Sequence, residues 1–498
     1  MKKIEKIIPY AILFVMFVLI AFSFRDNPFS KVLSGHDSSM FLYFGRGISD
    51  GLVPYKDMLD HKGPFLFIIE YMAILIGFGN ISMGIWIVEC LFLLGSIIFL
   101  FKTSCLYVES KLVSSVALAF MTPIFILCYD GGNYSEEFAL LFISISFYLF
   151  SKAVLQKNVS QLEYVLIGIC GAATFFIRIN MISLWVVFCL VVLFENLFNK
   201  RINLLLKQIR GIFIGGVLVV SIMVILSLFQ NNLREMIQQA FIMNFLYSDS
   251  NISEKITVAY SFIDLLLKTG IFPMIVIGCA YFFVDNKKIQ NKVIIILLIY
   301  FIMNFFTVIL SGRYYTHYLI TQFVPIAIFL AFSIDFITLT LVKRRKKIFT
   351  MMLLLTMVLP SSVLAIKNYN WRFSIDESMD VKQTRSIANY IEKNSSPKET
   401  IYVHNINANI YLLSNRYSNS RFFVLPAVNY ENFNELKKEF SRELQSNPPK
   451  YIVIRKQFLE DKYNKSNLNN EVYSVLEKNY HQNKNEMSDY YLLYEINK

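Results

Sequence analysis

Apolar residues in this chain fall in long runs. Such runs begin near residues 7, 64, 81, 111, 134, 163, 180, 209, 262, 292, 317 and 348. Most are about 17 to 25 residues long, the length that crosses a hydrocarbon core as a helix. The pattern predicts a polytopic α-helical membrane bundle over residues 1–366. From about residue 367 the chain turns polar, and its periodicity changes. A helix near Val381 to Lys393 and strand-like runs in ETIYVHN, RFFVLP, PKYIVIRK and DYYLLYEIN predict a small α/β domain over 367–498.

One run is unlike the others. Pro64 to Gly79 is short, follows a Gly-Pro step and carries Glu70, which suits a re-entrant or interfacial segment. If it crossed, the basic loops after it would change sides relative to Lys2, Lys3 and Lys6. If it does not, the clusters Lys102 with Lys111, Lys152 with Lys157, Lys200 to Arg210, Lys287 to Lys292 and Lys343 to Lys347 all share the N-terminal side, as the positive-inside bias requires. The expectation is therefore eleven transmembrane helices in the cell membrane, with the N-terminus cytoplasmic, a first outer loop over 25–80 and an extracytoplasmic C-terminal domain. The basic start and apolar stretch of MKKIEKIIPYAILFVMFVLIAF lack a small-residue cleavage site, so they read as an uncleaved first span.

Composition agrees with a lipid-facing chain: 55% of the 498 residues are hydrophobic, 17% are charged and the mean hydropathy is +0.48. The net charge of +12 sits in the loop clusters that orient spans, which argues against nucleic-acid binding. Cys90, Cys105, Cys128, Cys170, Cys189 and Cys279 lie in apolar runs or one short loop, without metal-ligand spacing, and read as packing residues. The 29 tyrosines and 46 phenylalanines read as interface belt and packing.

With this orientation, the remaining polar residues converge on the outer face. The first outer loop holds GHDSS and DHKGP, and an amphipathic helix from about Asp37 to Asp50 stops at Gly51 and Pro54. The second outer turn is YDGGNYSEEF, Arg178 and Asn180 end the fifth helix, and a late turn reads SGRYYTHY. Carboxylates and cations gathered at outer helix ends suit transfer of a sugar from a lipid phosphate. A carboxylate takes the proton of the attacking hydroxyl, and cations stabilise the departing phosphate.

These residues resemble the GT-C superfamily of polytopic glycosyltransferases, in the protein-mannosyltransferase-like branch that includes the lipid A aminoarabinose transferases. The resemblance covers about 360 residues. It implies that Asp37 in GHDSS is the catalytic or acceptor-orienting carboxylate, that Lys62 in DHKGP contacts the lipid phosphate with His61 beside it, and that Glu136 or Glu137 in GNYSEEF is a second acid. It also implies that Arg313 and His317 in GRYYTHY contact phosphate or sugar. Asp130 and Arg178 complete the substrate-binding set. Gly63 stands where the aminoarabinose transferases have Pro, and the paired acids leave the second acid's identity open among Glu136, Glu137 and Asp130.

The expected activity is transfer from a polyprenyl-phosphate sugar, undecaprenyl phosphate in a bacterium, to a cell-envelope polymer, glycolipid or protein, and the resemblance implies that it inverts the configuration. No cofactor or resident metal is expected, with a divalent cation left open. Blander readings exist for each residue: Asp37 as a helix N-cap, Lys62 as a snorkelling cation, Glu136 and Glu137 as charges favoured at a helix N-terminus, and Arg313 as an interfacial anchor. Asp57 and Asp60 read as structural partners of Lys56 or Lys62. Rival functions are a lipid-linked sugar flippase, whose ionisable groups belong near the midplane, an envelope polysaccharide polymerase or ligase, and a non-catalytic wall-binding subunit.

Overall fold

The computed structural model describes residues 2–155, 158–244, 251–284, 288–342, 347–374, 379–425, 430–461, 468–483 and 488–497. The basic residues Lys157, Lys287, Lys343, Arg344, Arg345 and Lys346 lie outside them. The chain divides into two compact units. One comprises residues 1–27, 86–225 and 248–371, and the other comprises 28–85, 226–247 and 372–498.

The first unit is helical and apolar. Among the described residues, six helices of the chain are long and apolar enough to cross a membrane: Ile81–Tyr107, Lys111–Tyr129, Ser135–Val154, Ile202–Phe229, Lys292–Ile309 and Thr316–Thr340. A seventh span arises if Ile252–Lys268 and Ile271–Ala280, bent by 81° at their junction, count as one. This is a multi-pass membrane protein whose described residues contain six or seven helices that meet these criteria, not the eleven expected. The difference has a geometric cause. Gln161–Ile177 and Ser183–Phe198 are apolar helices of 17 and 16 residues, about 25 Å at 1.5 Å per residue against a hydrocarbon core of about 30 Å, whereas the apolar first helix, Lys2–Ala21, has 20 residues. Hydropathy marks them as apolar but does not fix where the helix stops. Helix Gln161–Ile177 lies so close to Ile202–Phe229 that a side chain at Gly168 would overlap the Ile212 carbonyl, and one at Gly215 the Val165 carbonyl. Small residues at a helix contact allow this approach where lipid supplies no hydrophobic drive.

The second unit contains residues 28–85 and the C-terminal residues. Its helix His36–Ser49 matches the amphipathic segment expected there, although Gly35 is the N-cap and no side chain caps it. Asp37 therefore lies inside the first turn, and the N-cap reading of Asp37 does not hold. Helix Pro64–Ile76 has 13 residues, about 20 Å, and is too short to span unbent.

The C-terminal sheet is mixed, in the order β1-β2-β4-β3, with β1 Ile401–Val403, β2 Tyr451–Arg455, β3 Tyr480–Gln482 and β4 Tyr491–Ile496. β1 and β2 are parallel, Ile401 opposite Tyr451, and β4 pairs antiparallel with both β2 and β3. Three expected strands form. RFFVLP does not form one in its described part: Phe422 and Phe423 are buried in an irregular segment. Burial of an aromatic pair can produce a strand-like pattern without a ladder partner. Phe422 joins Tyr402, Phe440, Ile452, Ile454 and Leu59 in one apolar core. Leu59 comes from the segment between helices His36–Ser49 and Pro64–Ile76, and its N–H donates to the Arg421 carbonyl at 2.9 Å.

Candidate functional site

The sequence-predicted residues form two clusters, one in each unit. The second unit holds Asp37, His61 and Lys62, together with Asp60. The segment between the helices His36–Ser49 and Pro64–Ile76 is pinned by Tyr55, a buried residue at φ 68°, a conformation uncommon for a bulky side chain. Its hydroxyl donates to the Lys62 carbonyl at 2.8 Å, and its own carbonyl accepts from Gln239 Nε2 at 2.7 Å. Asn232 Nδ2 donates to the Pro54 carbonyl at 2.9 Å and Asn244 Nδ2 to the His61 carbonyl at 2.7 Å.

These three amides come from residues 226–247, in and around a π-helical stretch at Ile237–Ile242. Asn232 and Gln239 are seven apart, two α-helical turns, whereas Gln239 and Asn244 are five apart. Five residues would leave them 140° apart in an α-helix, and i→i+5 winding reduces that angle. Sequence reasoning missed Tyr55 and all three amides. The available signal was the run of amides in QNNLREMIQQAFIMN, which has no basic-loop character.

Within this frame Lys62 N–H donates to Asp60 Oδ1 at 2.8 Å, and Lys62 Nζ lies 3.3 Å from His61 Nε2 and 5.7 Å from the Phe41 ring centroid. Lys62 is 9% exposed and Asp60 is fully buried. Burial pushes the Asp60 carboxyl above its usual range, as does the nearby charge of Asp37. The Lys62 ammonium and the backbone N–H groups of Lys62 and His61 oppose that rise. Asp37 itself is half-buried. The group is a fixed cation and two carboxylates at the head of an apolar helix. Asp57 has the more local role of accepting the Val53 N–H at 2.7 Å.

The first unit holds Asp130, Glu136, Glu137, Arg178, Arg313 and His317. Four consecutive residues, Asp130, Gly131, Gly132 and Asn133, have positive φ of 45°, 102°, 90° and 61°. Gly, Asn and Asp tolerate that region best, so the DGGN sequence follows from the turn. A side chain at Gly132 would overlap Glu89 Oε1, so the backbone of this turn rests against a buried carboxylate. Sequence reasoning missed Glu89, although a lone acid in the apolar run GIWIVECLF is itself a signal.

The helix beginning at Ser135 then presents both acids in its first turn. Glu136 forms an ion pair with Arg178, at side-chain exposures of 3% and 10%, and accepts from Ser135 Oγ at 2.9 Å. Glu137 Oε2 accepts the Asn133 N–H at 2.9 Å, while its Oε1 has no hydrogen-bond partner among the described residues.

Arg178 caps the helix Gln161–Ile177. It donates to the Tyr318 hydroxyl at 3.1 Å, with its guanidinium 4.7 Å from that ring centroid. His317 stacks on Tyr134 at 4.0 Å and 11°, with Tyr315 on it at 5.5 Å. Glu136, Arg178 and His317 are thereby joined through Tyr134 and Tyr318, which the sequence did not single out. Arg313 is half-buried in the same turn, its N–H 3.4 Å from Ser311 Oγ. Asp130 accepts from Asn368 Nδ2 at 3.3 Å. Among the described residues no three His, Cys, Asp or Glu side chains are placed to hold a metal.

Residues 2–362 match the sequence profile of the family described as "Putative competence-induced protein Ccs4 N-terminal domain", and residues 381–497 match that of the Ccs4 C-terminal domain. No curated protein matches the chain in sequence. Among solved structures, the chain is similar to ArnT from Cupriavidus metallidurans bound to undecaprenyl phosphate, with a TM-score of 0.63 at 11% identity over 97% of both chains. It is similar to the apo state of the same protein at 0.61, with the same identity and coverage. The fold is therefore ArnT-like over 97% of the chain.

Proposed function

The chain belongs to the Ccs4 family, and from its ArnT-like fold we propose that it is a membrane glycosyltransferase using a polyprenyl-phosphate sugar. The reading rests above all on Lys62, held beside Asp37, Asp60 and His61 at the head of helix Pro64–Ile76. A buried ammonium next to an apolar helix suits a phosphate on a lipid tail. The solved ArnT structure is described as bound to undecaprenyl phosphate, which supports the same lipid class here.

In the proposed step an acceptor hydroxyl attacks the anomeric carbon from the face opposite the phosphate. Asp37 takes the hydroxyl proton, a glycosidic bond forms and the bond from the anomeric carbon to the phosphate oxygen breaks. Polyprenyl phosphate leaves with the bonding electrons, its charge met by Lys62, and the configuration inverts; Arg313 is a phosphate or sugar contact of the first-unit cluster. Glu136 holds Arg178 in place. Glu137, with one oxygen uncommitted, is the better second acid for orienting the sugar or acceptor. His61 serves as a polar contact beside Lys62, and Asp130 and His317 as polar contacts of the first-unit cluster. The site faces outward, with the N-terminus cytoplasmic and the C-terminal residues extracytoplasmic. The acceptor belongs to the cell envelope.

The test is transfer of labelled sugar from a panel of undecaprenyl-phosphate sugars in membranes containing wild type, Asp37→Asn or Lys62→Ala, with and without EDTA. Loss of a general base lowers the rate about 10²- to 10⁴-fold, and loss of an electrostatic contact to the leaving group about 10²-fold or more. Full transfer by both variants would refute the first-loop site. Labelled lipid that crosses the bilayer without transfer would establish a flippase.

A further inference from the structure

The second unit contains a cavity of about 690 Å³ that none of the groups above uses. Its charged lining is Lys31 and Arg385, with no carboxylate among the lining residues. Arg385 donates to the Lys31 carbonyl, which fixes the guanidinium plane beside the segment that carries the Lys31 ammonium. Ser30, Ser34 and Asn409 add hydroxyl and amide groups, and the buried Asn409 is itself held by the Ser34 carbonyl at 2.9 Å. Leu42, Leu412 and Leu413 supply an apolar wall.

We propose that this cavity binds the acceptor, and that the acceptor is a phosphate-bearing polyol or glycan. The charge asymmetry selects an anion. Arginine's planar fork matches phosphate oxygens better than a point charge does. Serine hydroxyls and an oriented amide suit a hydroxyl-rich chain, and the leucines suit its C–H faces. The volume lies within the range of small-molecule pockets, enough for a few polyol units and more than a bare anion needs. Calling the ligand the acceptor rests on the glycosyltransferase reading, whereas the binding chemistry does not.

The experiment measures binding of a short poly(glycerol phosphate), its dephosphorylated counterpart and anionic phospholipid vesicles to the purified full chain in detergent. Wild type is compared with Lys31→Glu and Arg385→Gln. Lys31 is exposed, so Lys31→Glu does not disturb packing, and unchanged thermal unfolding verifies this. The expected result is binding of the phosphate polymer alone, weakened about tenfold in each variant and weakened further by salt.

Equal binding of the dephosphorylated polymer, or undiminished affinity in Lys31→Glu, overturns the proposal. So does the absence of binding to any probe. Binding of vesicles without binding of the soluble polymer overturns it in favour of a lipid headgroup. Donor turnover is assayed separately: its absence removes the glycosyltransferase reading and leaves the phosphate site standing, while absent polymer binding with normal turnover removes only the site.

Discussion

Glu136 and Arg178 provide the sharpest test of the first-unit cluster. Both side chains are nearly buried, at 3% and 10% exposure, so removing one partner leaves the other as an uncompensated charge, at a cost of about 3 to 5 kcal/mol. Glu136→Gln keeps an acceptor for the guanidinium and is expected near the lower end of that range. Arg178→Met also removes the contact with the Tyr318 ring at 4.7 Å, worth about 0.5 to 2 kcal/mol, and is expected near the upper end. The double variant carries neither charge of the pair, and both replacements conserve volume. Its loss should therefore fall below the sum of the single losses by about 2 kcal/mol or more. Reversible unfolding of the four proteins in mixed micelles measures the cycle. Additivity within about 0.5 kcal/mol would show two independent residues and refute the pair.

Gly132→Ala, which places a side chain against Glu89 Oε1 at a backbone φ of 90°, should destabilise by about 2 kcal/mol or more. Gly216→Ala meets no atom within 4 Å in the helix Ile202–Phe229 and should be neutral or stabilise by up to about 1 kcal/mol. Equal thermal stability of the two variants would contradict this account of the turn. In the C-terminal core, burial lowers the His404 pKa from 6.5 to about 4, with its Nε2 2.8 Å from Asn469 Oδ1. The unfolded chain takes up this proton first as pH falls, so the stability from neutral His404 is full above about pH 6.5 and declines towards pH 4, by roughly 3 kcal/mol in all. The unfolding free-energy gap between wild type and His404→Gln, measured on the full chain, should close over that window. A gap that does not change with pH would show that the imidazole is not held neutral.

Much of this protein is legible along the chain because the bilayer imposes a one-dimensional rule. Apolar runs must become helices whose backbone groups pair internally, so the polytopic class and the short Pro64 segment follow from residue order. The first-turn acids Glu136 and Glu137 and the DGGN turn are equally local, set by positive φ and a helix start within eight residues. Asp37 is legible as polar chemistry on an amphipathic helix, although its place inside the first turn required the cap geometry.

Other features depend on residues far apart in sequence. The Glu136–Arg178 pair and its links through Tyr134 and Tyr318 join three separate turns, and no periodicity encodes which turns meet. The segment carrying Lys62 is fixed by Asn232, Gln239, Asn244 and Arg421, and Leu59 belongs to the same core as the C-terminal sheet. Helix lengths also belong to the tertiary structure, because a run of apolar letters ends wherever packing and capping stop the helix. Residue order alone specifies a membrane bundle with charged and polar groups between its apolar runs and a polar α/β end. Which of those groups touch is set by the folded arrangement, because hydrogen bonds and ion pairs depend on distances of a few ångströms that hydrophobic patterning does not specify.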